Sequence, residues 1–171
     1  ETIRLTKTGE PLTILLSAET IELEGVLHVI AFSHDETQRR RAEDAKRSAL
    51  ERFEAIFQHA PNVAIQGYDA RGTVMHWNRA SETLYGIPVG EAIGRPLQEL
   101  LHTPETAREF EAVVAAICAS GQPSAPGEWP ISLRDGREIW VLSTMFPVFS
   151  EGVVAEIVCM DVDITELKQA N

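Results

Sequence analysis

Val63-Ala-Ile-Gln-Gly-Tyr68, Asp69-Ala-Arg-Gly72, Thr73-Val-Met-His-Trp77 and Asn78-Arg-Ala-Ser81 run on without a break, and this stretch decides the fold. The first and third segments are short, apolar and β-rich, and the Asp and Gly between them supply turn chemistry, so they read as a hairpin. Asn78 follows at once as a helix cap, because its side chain accepts a hydrogen bond from a backbone N–H that the first turn leaves free. The capped helix runs through Tyr85 and Gly86 stops it; Gly94 and Pro96 mark another short turn of helix. Pro104 then opens a longer helix ending before Gly121, with Phe110, Val113, Val114 and Ile117 on one face. Three more strands close the segment. The order strand, strand, helices, three strands is that of an α+β domain, one antiparallel sheet with helices on one face.

Upstream, the chain repeats part of itself. Gly9 and Gly25 recur 127 residues later as Gly136 and Gly152, and Asp35-Glu-Thr37 matches Asp163-Ile-Thr165 with one residue of slippage. Each copy reads as three strands, so residues 1–35 are the tail of a second domain of the same kind. Residues 36–57 lack Gly and Pro and are dense in Ala, Arg and Glu, which favours helix throughout. Ala42, Ala45, Ala49, Phe53 and Ile56 form a thin apolar stripe on it, suited to a parallel coiled coil with a second chain. The expected layout is a partial sheet at 1–35, a helical linker at 36–57, a complete domain at 58–165 and the start of an exit helix at 166–171. Ile14, Leu16, Val26, Val29, Ile30 and Phe32 would leave the partial sheet with an apolar face needing cover, by a second chain or by the outer face of the complete domain.

The 171 residues suit one domain and part of another, and 44% hydrophobic with 24% charged residues is an ordinary globular composition. Fifteen basic against 26 acidic residues give a net charge of −11, the wrong sign for a phosphate-backbone binder, so no nucleic-acid partner is expected. No apolar run could span a bilayer, so no membrane contact is expected of these residues. Cys118 and Cys159 stand apart, without metal-ligand spacing, which fits a reducing cytoplasm and gives no metal site. No nucleophile–base spacing, phosphate loop or dinucleotide glycine pattern occurs, and Asp161 with Asp163 reads as a strand end rather than an acid–base pair. A non-catalytic regulatory fragment is expected. Opening on Glu1 rather than Met, it reads as part of a longer protein.

Phe57-Gln-His-Ala-Pro61, Tyr68-Asp-Ala-Arg-Gly72, His76-Trp-Asn-Arg-Ala-Ser81, Leu84-Tyr-Gly86, Glu91-Ala-Ile-Gly94, Asp135-Gly136 with Trp140, and Asp163-Ile-Thr165 stand in an order that resembles the PAS family over about residues 57 to 165. Residues 1–35 resemble the last three strands of another member. The resemblance implies a PAS fold, with a five-stranded antiparallel sheet, and a sensory module of a bacterial signalling protein: most often a histidine kinase, otherwise a cyclic-dinucleotide enzyme such as a diguanylate cyclase, or a chemoreceptor. The apolar stripe of the linker helix and the apolar residues of the outer sheet face lead to the expectation of a homodimer through both.

Members with known cofactors can be compared motif by motif. Light-sensing flavin members place a reactive Cys after Gly-Arg-Asn, whereas here Gly94-Arg95 runs into Pro96-Leu97. Haem members carry a His inside the long helix; residues 104–120 have none, and His102 just before them reads as a solvated loop residue. Trp129 matches the strand Trp of redox-sensing flavin members without further support. Flavin and haem are therefore the weaker readings and the cofactor stays unassigned. By the same resemblance the residue before the turn Asp faces inward, which makes Gln66, Tyr68, His76, Phe110, Trp129, Val141, Ser143, Met145, Cys159 and Asp161 the expected pocket. Trp77, Trp140 and Leu142 would face out. Such polarity suits either a small ligand or polar groups that satisfy one another. Asp163 and Thr165, with Asp35 and Thr37 one domain earlier, are the expected relay to the following helix.

Overall fold

The computed structural model describes residues 2–170; Glu1 and Asn171, the outermost residues of the expected partial sheet and exit helix, lie outside the described residues. Two compact units divide between Glu54 and Ala55. The first holds strands β1 (Thr2–Leu5), β2 (Pro11–Leu23) and β3 (Val26–Asp35), paired antiparallel in the order β1-β2-β3, and most of helix α1 (Thr37–His59). Its sheet leaves apolar side chains in water: Leu27 is 72% and Val29 71% exposed.

The second unit carries β4 (Ala64–Tyr68), β5 (Val74–Trp77), helices α2 (Arg79–Tyr85), α3 (Val89–Ala92), α4 (Leu97–Leu101) and α5 (Pro104–Ser120), then β6 (Gly127–Ser132), β7 (Glu138–Ser150), β8 (Val153–Asp163) and α6 (Thr165–Gln169). Its five strands run antiparallel in the order β5-β4-β8-β7-β6. The α+β architecture read from the sequence is the one found. Asn78 accepts the Ser81 amide as a helix cap, and Gly86 and Gly121 end α2 and α5 in the left-handed conformation. Thr103 and Thr106 close a capping box around Pro104. The core lies between the sheet and these helices, with Tyr68, Tyr85, Ile87, Phe110, Ile117, Val141 and Ile157 almost fully buried. β8 is the middle strand, so a change at one of its residues is felt by both neighbours.

The repeat holds in register. Ile14 pairs with Asp35 and Leu16 with Ser33, as Val141 pairs with Asp163 and Ser143 with Asp161. The first hairpin therefore has the same frame with an apolar Leu and a Ser where the complete domain has Ser and a carboxylate.

Candidate functional site

Strand alternation puts every second residue of β7 and β8 under the helices. There Gln66, Phe110, Trp129, Val141, Ser143, Met145, Cys159 and Asp161, all expected pocket residues, line an interior cavity of about 20 Å³ with Tyr85, Leu97, Leu101, His102 and Ile131. That volume admits one water-sized guest.

Asp161 organises the cavity. Its Oδ2 accepts from Gln66 Nε2 at 2.9 Å and from the Tyr85 hydroxyl at 2.6 Å; its Oδ1 accepts from the Ser143 hydroxyl and from Cys159 Sγ at 3.2 Å. A carboxylate has about four lone-pair sites, so these four donors fill it. Burial, and then the charge of Asp161, push both the Tyr85 hydroxyl and the Cys159 thiol well up, keeping them protonated as donors. No Lys or Arg lines the cavity. Two polar atoms of its lining residues have no hydrogen-bond partner among the described residues: Gln66 Oε1 and His102 Nδ1. Buried groups without partners cost roughly 1–3 kcal/mol each, so a guest that bonded to them here would be held by hydrogen bonds.

Two expected pocket residues sit elsewhere. Tyr68 is fully buried and edge-on to Phe110 at 5.3 Å, but it lies outside the lining of the cavity. His76 faces the opposite side of the sheet, 3.4 Å from Glu156 and edge-on to Phe57. Trp77, expected outside, is 2% exposed and donates from Nε1 to the Ile87 carbonyl. The cause of both corrections is a bulge. Gly67 pairs with His76 but Tyr68 pairs with Val74, so Met75 is an extra residue and Val74 and Trp77 both point inward. Gly67 also leaves room for the Glu156 side chain, with which a Cβ there would collide.

His102 was missed. It follows α4 and stacks on Phe110 at 4.9 Å with Trp129 edge-on at 5.6 Å, closing the cavity. Its signal in the sequence was only its place before Thr103-Pro104, and burial depends on α5 folding over it. Burial lowers its pKa from 6.5 to about 4, while the charge of Asp161 pulls the other way. Between those two values the unfolded chain takes up a proton that the folded one refuses, so stability falls as pH drops through that window and levels out below it. A His102→Phe variant keeps an aromatic ring and loses the titration. Taken from pH 7 to 4.5, it should lose on the order of 2 kcal/mol less stability than the parent in urea unfolding; equal losses would show that this imidazole does not govern the acid limb.

Asp163 and Thr165, two of the expected relay residues, are hydrogen-bonded to one another where β8 meets α6. Asp163 Oδ1 accepts the Thr165 amide at 2.8 Å and the Thr165 hydroxyl at 2.5 Å, and the Thr165 hydroxyl oxygen accepts the Trp140 amide at 3.0 Å. Lys168, one turn on, lies over the Trp140 ring and pairs with Glu128. Asp35 and Thr37 repeat the device: Asp35 Oδ1 accepts the Thr37 amide and Thr37 Oγ1 accepts the Thr13 amide, both at 2.9 Å. A wider, open cleft of about 400 Å³ lies beside Asp163, between residues 58–62 and α2. It lacks the buried polar network of the interior site. Among the described residues no group of His, Cys, Asp and Glu is arranged to hold a metal, and no helix is long and apolar enough to cross a membrane.

A family model described as "PAS fold" matches residues 51–164. Among solved structures, the PAS domain of a protein from Colwellia psychrerythraea is 28% identical with a TM-score of 0.62, the match covering 69% of this chain and 98% of that one. The PAS domain of an HTR-like protein from Haloarcula marismortui is 22% identical with a TM-score of 0.61, covering 73% and 99%. The RpfR quorum-sensing receptor PAS domain from Cronobacter turicensis, in complex with C12:0, is 26% identical with a TM-score of 0.50, covering 61% and 95%. A search of curated proteins returns no match.

Proposed function

This chain belongs to the PAS family, and on that premise we propose that it is the sensory module of a bacterial signal-transduction protein, in the first place a sensor histidine kinase, which binds a small ligand in the interior cavity and relays its presence through dimeric linker helices. One observation carries the reading. β8 holds Asp161, the centre of the cavity network, and two residues on Asp163, which holds Thr165 at the start of the exit helix. A ligand that alters the hydrogen bonds of Asp161 acts on the strand that sets this hinge, and it shifts output only through its different affinity for the two hinge states. The C12:0 complex of the RpfR domain supports the idea that such a fold houses a small molecule. Neither haem nor a flavin fits a cavity of about 20 Å³, since pockets for molecules of that size run to roughly 300 Å³ or more.

Dimerisation through α1 is supported by the exposure of Leu50, Phe53 and Ile56 along it, and through the outer sheet face by that of Leu142, Met160 and Val162. The small cavity also favours a second reading, a ligand-free dimerisation and relay module of a diguanylate cyclase or chemoreceptor. Mass spectrometry of the denatured protein separates the two: the sensor releases a stoichiometric small molecule or binds one when supplied, and the relay module does neither.

The hinge has its own test. Asp163→Ala and Thr165→Ala each remove hydrogen bonds of the hinge worth about 1 kcal/mol net, close to the 1–3 kcal/mol of a usual coupling energy. Both should abolish most of the stimulus-dependent change in output of the full-length protein while ligand affinity stays within a few-fold of the parent. Variants that lower the melting temperature but respond as the parent does would make the hinge a structural edge only.

A further inference from the structure

The interior site has the charge of an anion and the walls of an aromatic cage. Asp161 is 3% exposed and is held only by neutral donors, Gln66, Tyr85, Ser143 and Cys159. Neutral donors fill its lone pairs without cancelling its charge, and a buried charge without a counter-charge is costly. No side chain of the lining supplies one. His102 is neutral at pH 7 and therefore does not.

The unpartnered atoms point the same way. Gln66 is 1% exposed, and its orientation is fixed because its Nε2 donates to Asp161; its Oε1 is left over as an acceptor. His102 Nδ1 also lacks a partner and is an acceptor with the proton on Nε2. Phe110, Trp129 and Tyr85 add ring faces and edges around the same space, and such rings attract a cation. A carboxylate, phosphate or other anion would meet Asp161 without a cationic side chain to oppose it.

We propose that the cavity takes an ammonium group, that of the ammonium ion or of a small primary amine, with Gln66 Oε1 and His102 Nδ1 as its acceptors and Asp161 as its counter-charge. The proposal rests on the sensor reading above and narrows it to a ligand class. A head group the size of water suits about 20 Å³. The chain's net charge of −11 raises the local concentration of cations and lowers that of anions.

The test titrates the complete chain with methylammonium chloride, benzylammonium chloride, sodium acetate and methanol at fixed ionic strength, following the Trp129 indole N–H and the Gln66 side-chain amide by NMR. The two ammonium salts should give saturable shifts at both groups, and acetate and methanol at least tenfold weaker ones. Asp161→Asn, close in shape, should weaken ammonium binding tenfold or more. If that variant does not fold, the selectivity of the parent among the four probes decides alone. Acetate or methanol binding as tightly as methylammonium would overturn the ammonium assignment and leave the sensor reading standing, as would release of a bound molecule of another class. No saturable shift with any probe, together with no released molecule, would overturn both.

Discussion

Asn78→Asp is expected to destabilise the complete domain by about 3 kcal/mol or more in denaturant unfolding followed through the neighbouring Trp77, although Asp and Asn serve almost equally as helix caps. Asn78 does more than cap. Fully buried, it accepts from the amides of Ile65 and Ser81 and from the Ser81 hydroxyl, and its Nδ2 donates to the carbonyls of Phe57 and Val63 at 2.9 and 3.0 Å. It thus fastens the last turn of α1, β4 and α2 to one another. An Asp keeps the acceptor half and loses the donor half, bringing its carboxylate against two carbonyl oxygens in a fully buried site. A loss of only a few tenths of a kcal/mol would reduce Asn78 to a cap.

The second large effect belongs to Asp161. Asp161→Ala strands the Tyr85 and Ser143 hydroxyls and the Cys159 thiol and strips Gln66 of its shorter bond, leaving only Ser81 at 3.4 Å. Each orphan costs roughly 1–3 kcal/mol, against which removal of a desolvated charge is a gain of the same order. Four donors against one charge decide the sign, and a net loss of about 3 kcal/mol is expected. Asp161→Asn should cost about 1 kcal/mol, because hydroxyls rotate to accept what an amide donates. If the Ala variant proves as stable as the parent, the network is a burden carried for function alone.

The hairpins, caps, long helix and repeat were legible because each depends on neighbours in sequence: a turn Asp and Gly, a cap before a helix, an apolar face at fixed spacing. Seven strand residues of the cavity followed from alternation once the resemblance had set its parity, and Phe110 from the apolar face of the long helix. Alternation failed at Met75, where one extra residue turns His76 out and Trp77 in, and Thr73-Val-Met-His-Trp77 reads equally well in either parity. The burial of His102 and the several bonds of Asn78 come from segments brought together only by the fold. Polar residues at such places look like loop and cap residues until their partners are known.

Hydrogen exchange at two amides tests the central claim most directly, that the cavity and the exit hinge share β8. The amides of Thr165 and Trp140 donate to Asp163 and to Thr165, on the far side of Asp163 from the cavity. Ser143→Ala removes one donor to Asp161 and touches neither amide. If the strand couples the two sites, this variant changes exchange at Thr165 and Trp140 by about tenfold, or 1.4 kcal/mol at the coupling energies typical of such switches, beyond any change at the Asp69–Thr73 turn, which serves as the reference. Exchange at Thr165 and Trp140 that follows the reference within twofold would contradict the account.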